Sequence, residues 1–241
     1  MKEPATPRDA AVCGIIRLKK TPELRKKSVT VTRRQFLERA AAVGAAAAFA
    51  PAFAMPALAE SYSPMGLMKP GPLQDMSLGK PDAPVSVIEY ASLTCSHCAH
   101  FEETGFRHLK KEYIDTGKVY YIFRELPLDN LAFAASMLIR CSSTGNFFDI
   151  NKLFFDKQRQ WAFTKDPLGN LKAMAKQIGF TDKTFEECLK NQEILDGVSA
   201  SRERANKEFG VNATPTFFIN GEKYPGALTV EQLDKIIKPL L

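Results

Sequence analysis

The chain is poor in three things that would have widened the choice of function. The first is a membrane span. Its best apolar stretch, Ala40 to Ala54, is mostly alanine and is interrupted by Pro51, with Pro56 close behind, which makes it too weak and too broken to cross a bilayer comfortably. The second is net charge in the body of the chain. The first 59 residues hold 11 of the 33 Lys/Arg and 4 of the 27 Asp/Glu, so the 182 that follow keep 22 against 23 and the overall +6 belongs to the leader. A neutral body has no electrostatic footprint for nucleic acid, and no such partner is expected. The third is cysteine. There are five, with one CxxC and no second, and no internal repeat. A body of this length suffices for one well-buried core with an inserted subdomain.

What is present begins with an ordered leader. Basic residues and the run Thr32-Arg33-Arg34-Gln35-Phe36-Leu37 precede the apolar stretch, and Ala57-Leu58-Ala59 supplies a small-residue cleavage site before Glu60. This resembles a twin-arginine export signal, with an ordinary secretory signal as the alternative route. It implies that residues 1–59 are removed and that the rest is periplasmic. Cys13 leaves with the leader. Cys95, Cys98, Cys141 and Cys188 remain, an even number that divides into one close pair and one distant pair.

Residues 60–74 are rich in Ser, Pro, Gly and Met without periodicity, so an irregular, exposed segment is expected. Val85 to Tyr90 then reads as a buried strand, and the CxxC follows it directly. Phe101, Phe106, Leu109 and Tyr113 recur at helical spacing, Gly117 stops that helix, and Val119 to Phe123 is a second buried strand. Strand, helix and strand in this order predict a parallel crossover unit over 75–128. Residues 129–210 carry helical patterns broken at Gly145, Pro167-Leu168-Gly169 and Gly179, a length far beyond an ordinary connection. From 211 to the end, Thr216 to Ile219, an Asn220-Gly221 hairpin turn and Glu222 to Tyr224 lead into a helix with a Thr229/Gln232 capping box.

The chemistry sits in Cys95-Ser96-His97-Cys98. Disulfide exchange needs a thiolate that attacks or leaves and a second thiol near enough to resolve the mixed disulfide. A cysteine at a helix N-terminus has its anion stabilised by free backbone N–H groups and the helix dipole, and its partner is buried one turn later. Cys95 is therefore the expected nucleophile and Cys98 the resolving thiol. The competing reading, half of a zinc site, lacks its other two ligands: His100 and His108 follow on the same helix outside any recognised zinc spacing.

The two-cysteine motif after a strand, the helical segment and the distant Thr214-Pro215 together resemble the DsbA family of thiol-disulfide oxidoreductases, from about residue 75 to the C-terminus. The resemblance implies an α/β fold, a thioredoxin fold with a helical insertion subdomain. It implies that His97 and Ser96 tune the redox couple, with Ser96 standing where well-known members have proline. It implies that Glu89 is a buried acid able to relay the Cys98 proton, that Pro215 is cis and that Thr214 offers backbone groups to an extended client. A second disulfide, Cys141–Cys188, is expected as in some relatives, with two buried free thiols as the alternative. No cofactor is expected. The implied partners are folding exported proteins with cysteine thiols and a membrane DsbB-like reoxidant, and the protein is expected to act as a monomer. A disulfide isomerase or reductase, and a chaperone-like peptide binder, are the rival functions. His108, Trp161, Phe147, Phe148, Phe154 and Phe155 read as core or groove lining.

Overall fold

The computed structural model describes residues 62–142 and 146–241; the leader, its cleavage site after Ala59 and the break at Gly145 lie outside the described residues. Among these, the strands β1 (Met76–Leu78), β2 (Val85–Ala91), β3 (Val119–Glu125), β4 (Thr216–Ile219) and β5 (Glu222–Pro225) form one sheet in the order β1-β3-β2-β4-β5. β2 and β3 are parallel, from Val85 beside Val119 to Ala91 beside Glu125. The pairings β1–β3, β2–β4 and β4–β5 are antiparallel. Parallel neighbours need a crossover, which here is a helix, α2 (96–114).

That helix is not regular. Ser96–Phe101 and Arg107–Leu109 are α-helical, whereas Glu102–Phe106 and Lys110–Ile114 are π-helical turns. The five-residue step from Phe101 to Phe106 is what a π turn brings round to one face, and Phe101, Phe106, Leu109 and Tyr113 are all buried. Gly117, at φ 75°, makes the turn into β3 in a conformation that other residues adopt only with strain.

Between β3 and β4 the chain is helical: α3 (Asn130–Cys141), α4 (Phe147–Asp156), α5 (Gln158–Trp161), α6 (Pro167–Gln177), α7 (Asp182–Leu189) and α8 (Gln192–Phe209). Side-chain caps from Asp129, Asp166, Thr181 and Asn191 start α3, α6, α7 and α8. Trp161 is fully buried in this layer, its indole donating to the Phe154 carbonyl at 2.8 Å. A disulfide joins Cys141 of α3 to Cys188 of α7. After β4, Asn220 (φ 46°) and Gly221 (φ 92°) form the tight hairpin turn to β5. The last helix, α9 (Val230–Ile237), carries the Thr229/Gln232 capping box. The architecture is an α/β thioredoxin fold with a helical insertion.

The sheet is covered on both faces. One buries Val87, Phe123 and Phe217 with Phe101 and Leu109 of α2, Leu233 of α9 and the aromatic layer of the insertion. The other buries Ile88, Tyr90, Ile122 and Phe218 against Ala205, Phe209 and Leu67. Leu67 corrects the expectation of an irregular, exposed 60–74 at one place, since residues 69–74 are irregular and none of them is buried. Pro64–Met68 is a short helix, α1, and Leu67 is 1% exposed because the second sheet face needs a cover. Arginines tie this strap down. Arg124 donates to the Leu67 carbonyl at 2.8 Å, and Arg204 to the carbonyls of Gly66 and Lys69 at 2.7 and 2.6 Å.

Candidate active site

β2 ends at Ala91, and the loop that follows delivers Cys95 to the start of α2. Cys95 is the N-cap residue, in extended conformation, and its carbonyl accepts the Ala99 N–H at 3.2 Å, the first bond of the helix. Cys98 lies one turn in and is 1% exposed. Both thiols are free. The cis Thr214-Pro215 bond sits opposite, with the Cys95 Sγ–H donating to the Thr214 carbonyl at 3.3 Å. The fold therefore brings Cys95, Cys98 and the Thr214-Pro215 loop together from positions 119 residues apart.

This surrounding splits the two thiols. Cys95 is pulled down to about 5, first by a hydrogen bond from the Cys98 thiol, against the opposing effect of burial, then by the Thr214 side chain and the backbone N–H groups of Cys98 and His97. The Thr214 hydroxyl is buried without a hydrogen-bond partner, beside the Cys95 thiol. Ionisation of that thiol supplies the missing acceptor. Cys98 is pushed well above the ordinary thiol value by burial, by its bond to Cys95, and by the negative charges of Cys95 and Glu89. One sulfur is built to be an anion and the other to hold its proton.

Glu89 lies beneath them on β2, 2% exposed, paired in register with Phe123 on one side and Phe217 on the other. Tyr121, diagonal to it across the parallel pair, donates its hydroxyl to Glu89 Oε2 at 2.6 Å. Burial raises Glu89 to about 8; the Tyr121 bond opposes the rise, and the charges of Glu102 and Cys95 add to it. At neutral pH this carboxyl keeps a proton. Glu102, in the first π turn, is 6% exposed and is raised by burial to about 7.

Ser96 and His97 are exposed at the mouth of the site. What residue 97 gives the Cys95 sulfur here is its backbone N–H. Cys141 and Cys188 lie in the insertion, joined to each other. His108 is half-buried and does more than line the core: its Nε2 is 2.7 Å from Asp234 Oδ1, which ties α2 to α9. Among the described residues no group of three or more His, Cys, Asp or Glu is arranged to hold a metal ion. A groove of about 530 Å³ beside the motif is lined by Ser96, His100, Glu103, Arg107, Asp156 and Arg159 among others, so it is largely polar.

Sequence reasoning missed three participants: Tyr121, Glu102 and Gln158. Gln158 is 3% exposed and its amide donates to the carbonyls of Leu93 and Cys95 at 2.8 and 2.9 Å. Its signal was present. It falls four residues after Phe154 and three before Trp161, on the buried face of its helical run, where a polar side chain needs a partner.

Residues 73–239 match the family described as thioredoxin. A Rickettsia conorii protein named for protein-disulfide oxidoreductase activity is 34% identical over 148 residues, covering 61% of this chain and 53% of its own. Disulfide bond formation protein D of Bacillus subtilis is 27% identical over 169 residues, 67% of this chain and 74% of its own. The chain thus spans about half the length of the rickettsial relative. Among solved structures, that of Wolbachia pipientis alpha-DsbA1 superposes with a TM-score of 0.66 at 34% identity, over 73% of this chain and 94% of that one.

Proposed function

Because the chain belongs to the thioredoxin family, in its DsbA-like branch, we propose that it is a periplasmic thiol-disulfide oxidoreductase that introduces disulfides into exported proteins through Cys95 and Cys98. The observation that carries this reading is the split between the two sulfurs: Cys95 lowered to about 5 at the helix start, Cys98 raised and buried behind it.

In the oxidised protein a client thiolate attacks Cys95 Sγ. A client–Cys95 bond forms, the Cys95–Cys98 bond breaks, and Cys98 leaves as a thiolate. Glu89, still protonated at neutral pH, is the group placed to return a proton to it. A second client thiolate then attacks the client sulfur of the mixed disulfide. The client disulfide forms, and Cys95 departs with the electron pair as the stabilised anion. Two client thiols are oxidised and the protein is left as Cys95 thiolate and Cys98 thiol. Thr214 and Pro215 would seat the client backbone beside the sulfur by strand addition. Ser96 and His97, exposed at the mouth, adjust the stability of the anion.

The wider setting follows from the leader and the family. Residues 1–59, with the twin-arginine-like run and cleavage after Ala59, direct export. Clients are unfolded or folding exported proteins, a DsbB-like membrane partner takes the electrons, and the enzyme works as a monomer without cofactor. No helix among the described residues is long and apolar enough to cross a membrane.

The test mixes the oxidised protein with a reduced peptide carrying two cysteines. The peptide should be oxidised by the wild type and not by C95S, and C98S carrying glutathione in a disulfide on Cys95 should release that glutathione to a one-cysteine peptide and keep a client adduct on Cys95 that reductant removes. Oxidation undiminished in C95S would defeat the proposal and favour a peptide binder.

A further inference from the structure

The helical insertion grips the catalytic loop at two points. Asp129, the cap of α3, accepts the Thr94 hydroxyl at 2.8 Å. Gln158, the first residue of α5, reaches the loop from 63 residues away and spends its side-chain amide on the carbonyls of Leu93 and Cys95. The second contact falls on the residue that carries the reactive sulfur. The side chain is held in place from its own element, since Trp161 three residues later is fully buried and bonded to the Phe154 carbonyl.

A hydrogen bond to the Cys95 carbonyl acts on the sulfur in two ways. It fixes the peptide plane that leads into α2, and with it the aim of the His97 and Cys98 N–H groups at the sulfur. It also directs an N–H dipole at a carbonyl oxygen whose partial negative charge opposes a nearby anion. Neither effect requires Gln158 to touch the client or the sulfur.

We propose that Gln158 is a positioning residue through which the helical insertion holds the Cys95 carbonyl at the start of α2 and so keeps the sulfur ready to ionise. The proposal rests on the thiol-exchange reading of the site and adds the route by which the insertion, remote in sequence, governs it. A Gln158 that merely joins two parts of the fold would contribute to stability alone.

The test titrates the Cys95 thiolate by its ultraviolet absorbance in reduced wild type, Q158L and Q158E. Leucine removes the donors at similar size; glutamate keeps the shape and replaces donors with a negative charge. The Cys95 midpoint should rise by about one unit in Q158L, about a tenfold loss of thiolate below it, and by more in Q158E. Variants that melt earlier but titrate like wild type would overturn the proposal. A second measurement uses the unaltered protein: the side-chain amide NMR signals of Gln158 should shift with the Cys95 midpoint and lose that transition in C95S. If they are flat across it, the proposal fails even should neither variant fold. A wild-type thiol with an ordinary midpoint would defeat the exchange reading, whereas the difference between wild type and Q158L still decides the role of Gln158.

Discussion

Replacing Glu89 with glutamine should change how stability depends on pH, by an amount the structure sets. The carboxyl moves from an ordinary 4.5 in the unfolded chain to about 8 in the fold, with burial as the main cause. Between those values the folded protein holds a proton that the unfolded chain has released. A raised carboxyl therefore contributes stability that is complete below 4.5 and is lost as pH climbs toward 8. The loss is about 1.4 kcal/mol per pH unit, or about 3 kcal/mol between pH 5 and 7. Glutamine keeps an oxygen for the Tyr121 hydroxyl, now 2.6 Å from Glu89 Oε2, but does not titrate, so E89Q should escape this fall. The assay is urea denaturation at pH 5, 6 and 7 on the oxidised protein, in which Cys95 and Cys98 carry no protons. Glu102, also raised by burial, is present in both proteins and cancels in the comparison. Stability curves that stay parallel from pH 5 to 7 would refute the protonated, buried Glu89 and remove it as the proton donor to Cys98.

Further outcomes follow from the same packing. The Cys141–Cys188 bridge closes a loop of sequence separation 47, so replacing both cysteines with alanine should cost about 4 kcal/mol in the chain-entropy account, read as a lower urea midpoint with peptide oxidation retained. Asp75 meets Arg124 through two bonds of 2.8 Å in a nearly buried pair; D75A should cost about 3 kcal/mol by leaving the arginine charge uncompensated, and an unchanged midpoint would show that the strap over the second sheet face is not held by charge.

The parts of this molecule legible in its sequence are those fixed by short-range rules. The strand before the CxxC, the parallel unit around it, the Asn220-Gly221 turn and the Thr229/Gln232 box each depend on a few adjacent residues, and each stands where the pattern places it. The five-residue gap between Phe101 and Phe106 already carried the π turn, though a regular helix was the simpler reading. What escaped depends on long-range contact. β1 has three residues, too few for a period, and exists because β3 offers it an edge. α1 is ordered by arginines far along the chain. The motif named Cys95 and Cys98, and register explains why Glu89 is buried between two phenylalanines. The environment that separates the two thiols comes from their own hydrogen bond, from burial and from Thr214, and neither Thr214 nor the glutamine that reaches the Cys95 carbonyl is connected to the loop by any local pattern.

The most direct test of the account is the pH dependence of alkylation at Cys95 in the reduced protein. Iodoacetamide reacts with the thiolate, so the rate should rise with a midpoint of about 5, while Cys98 stays unreactive through neutral pH. A single midpoint near the ordinary thiol value of 9.0, or equal labelling of both cysteines, would contradict it.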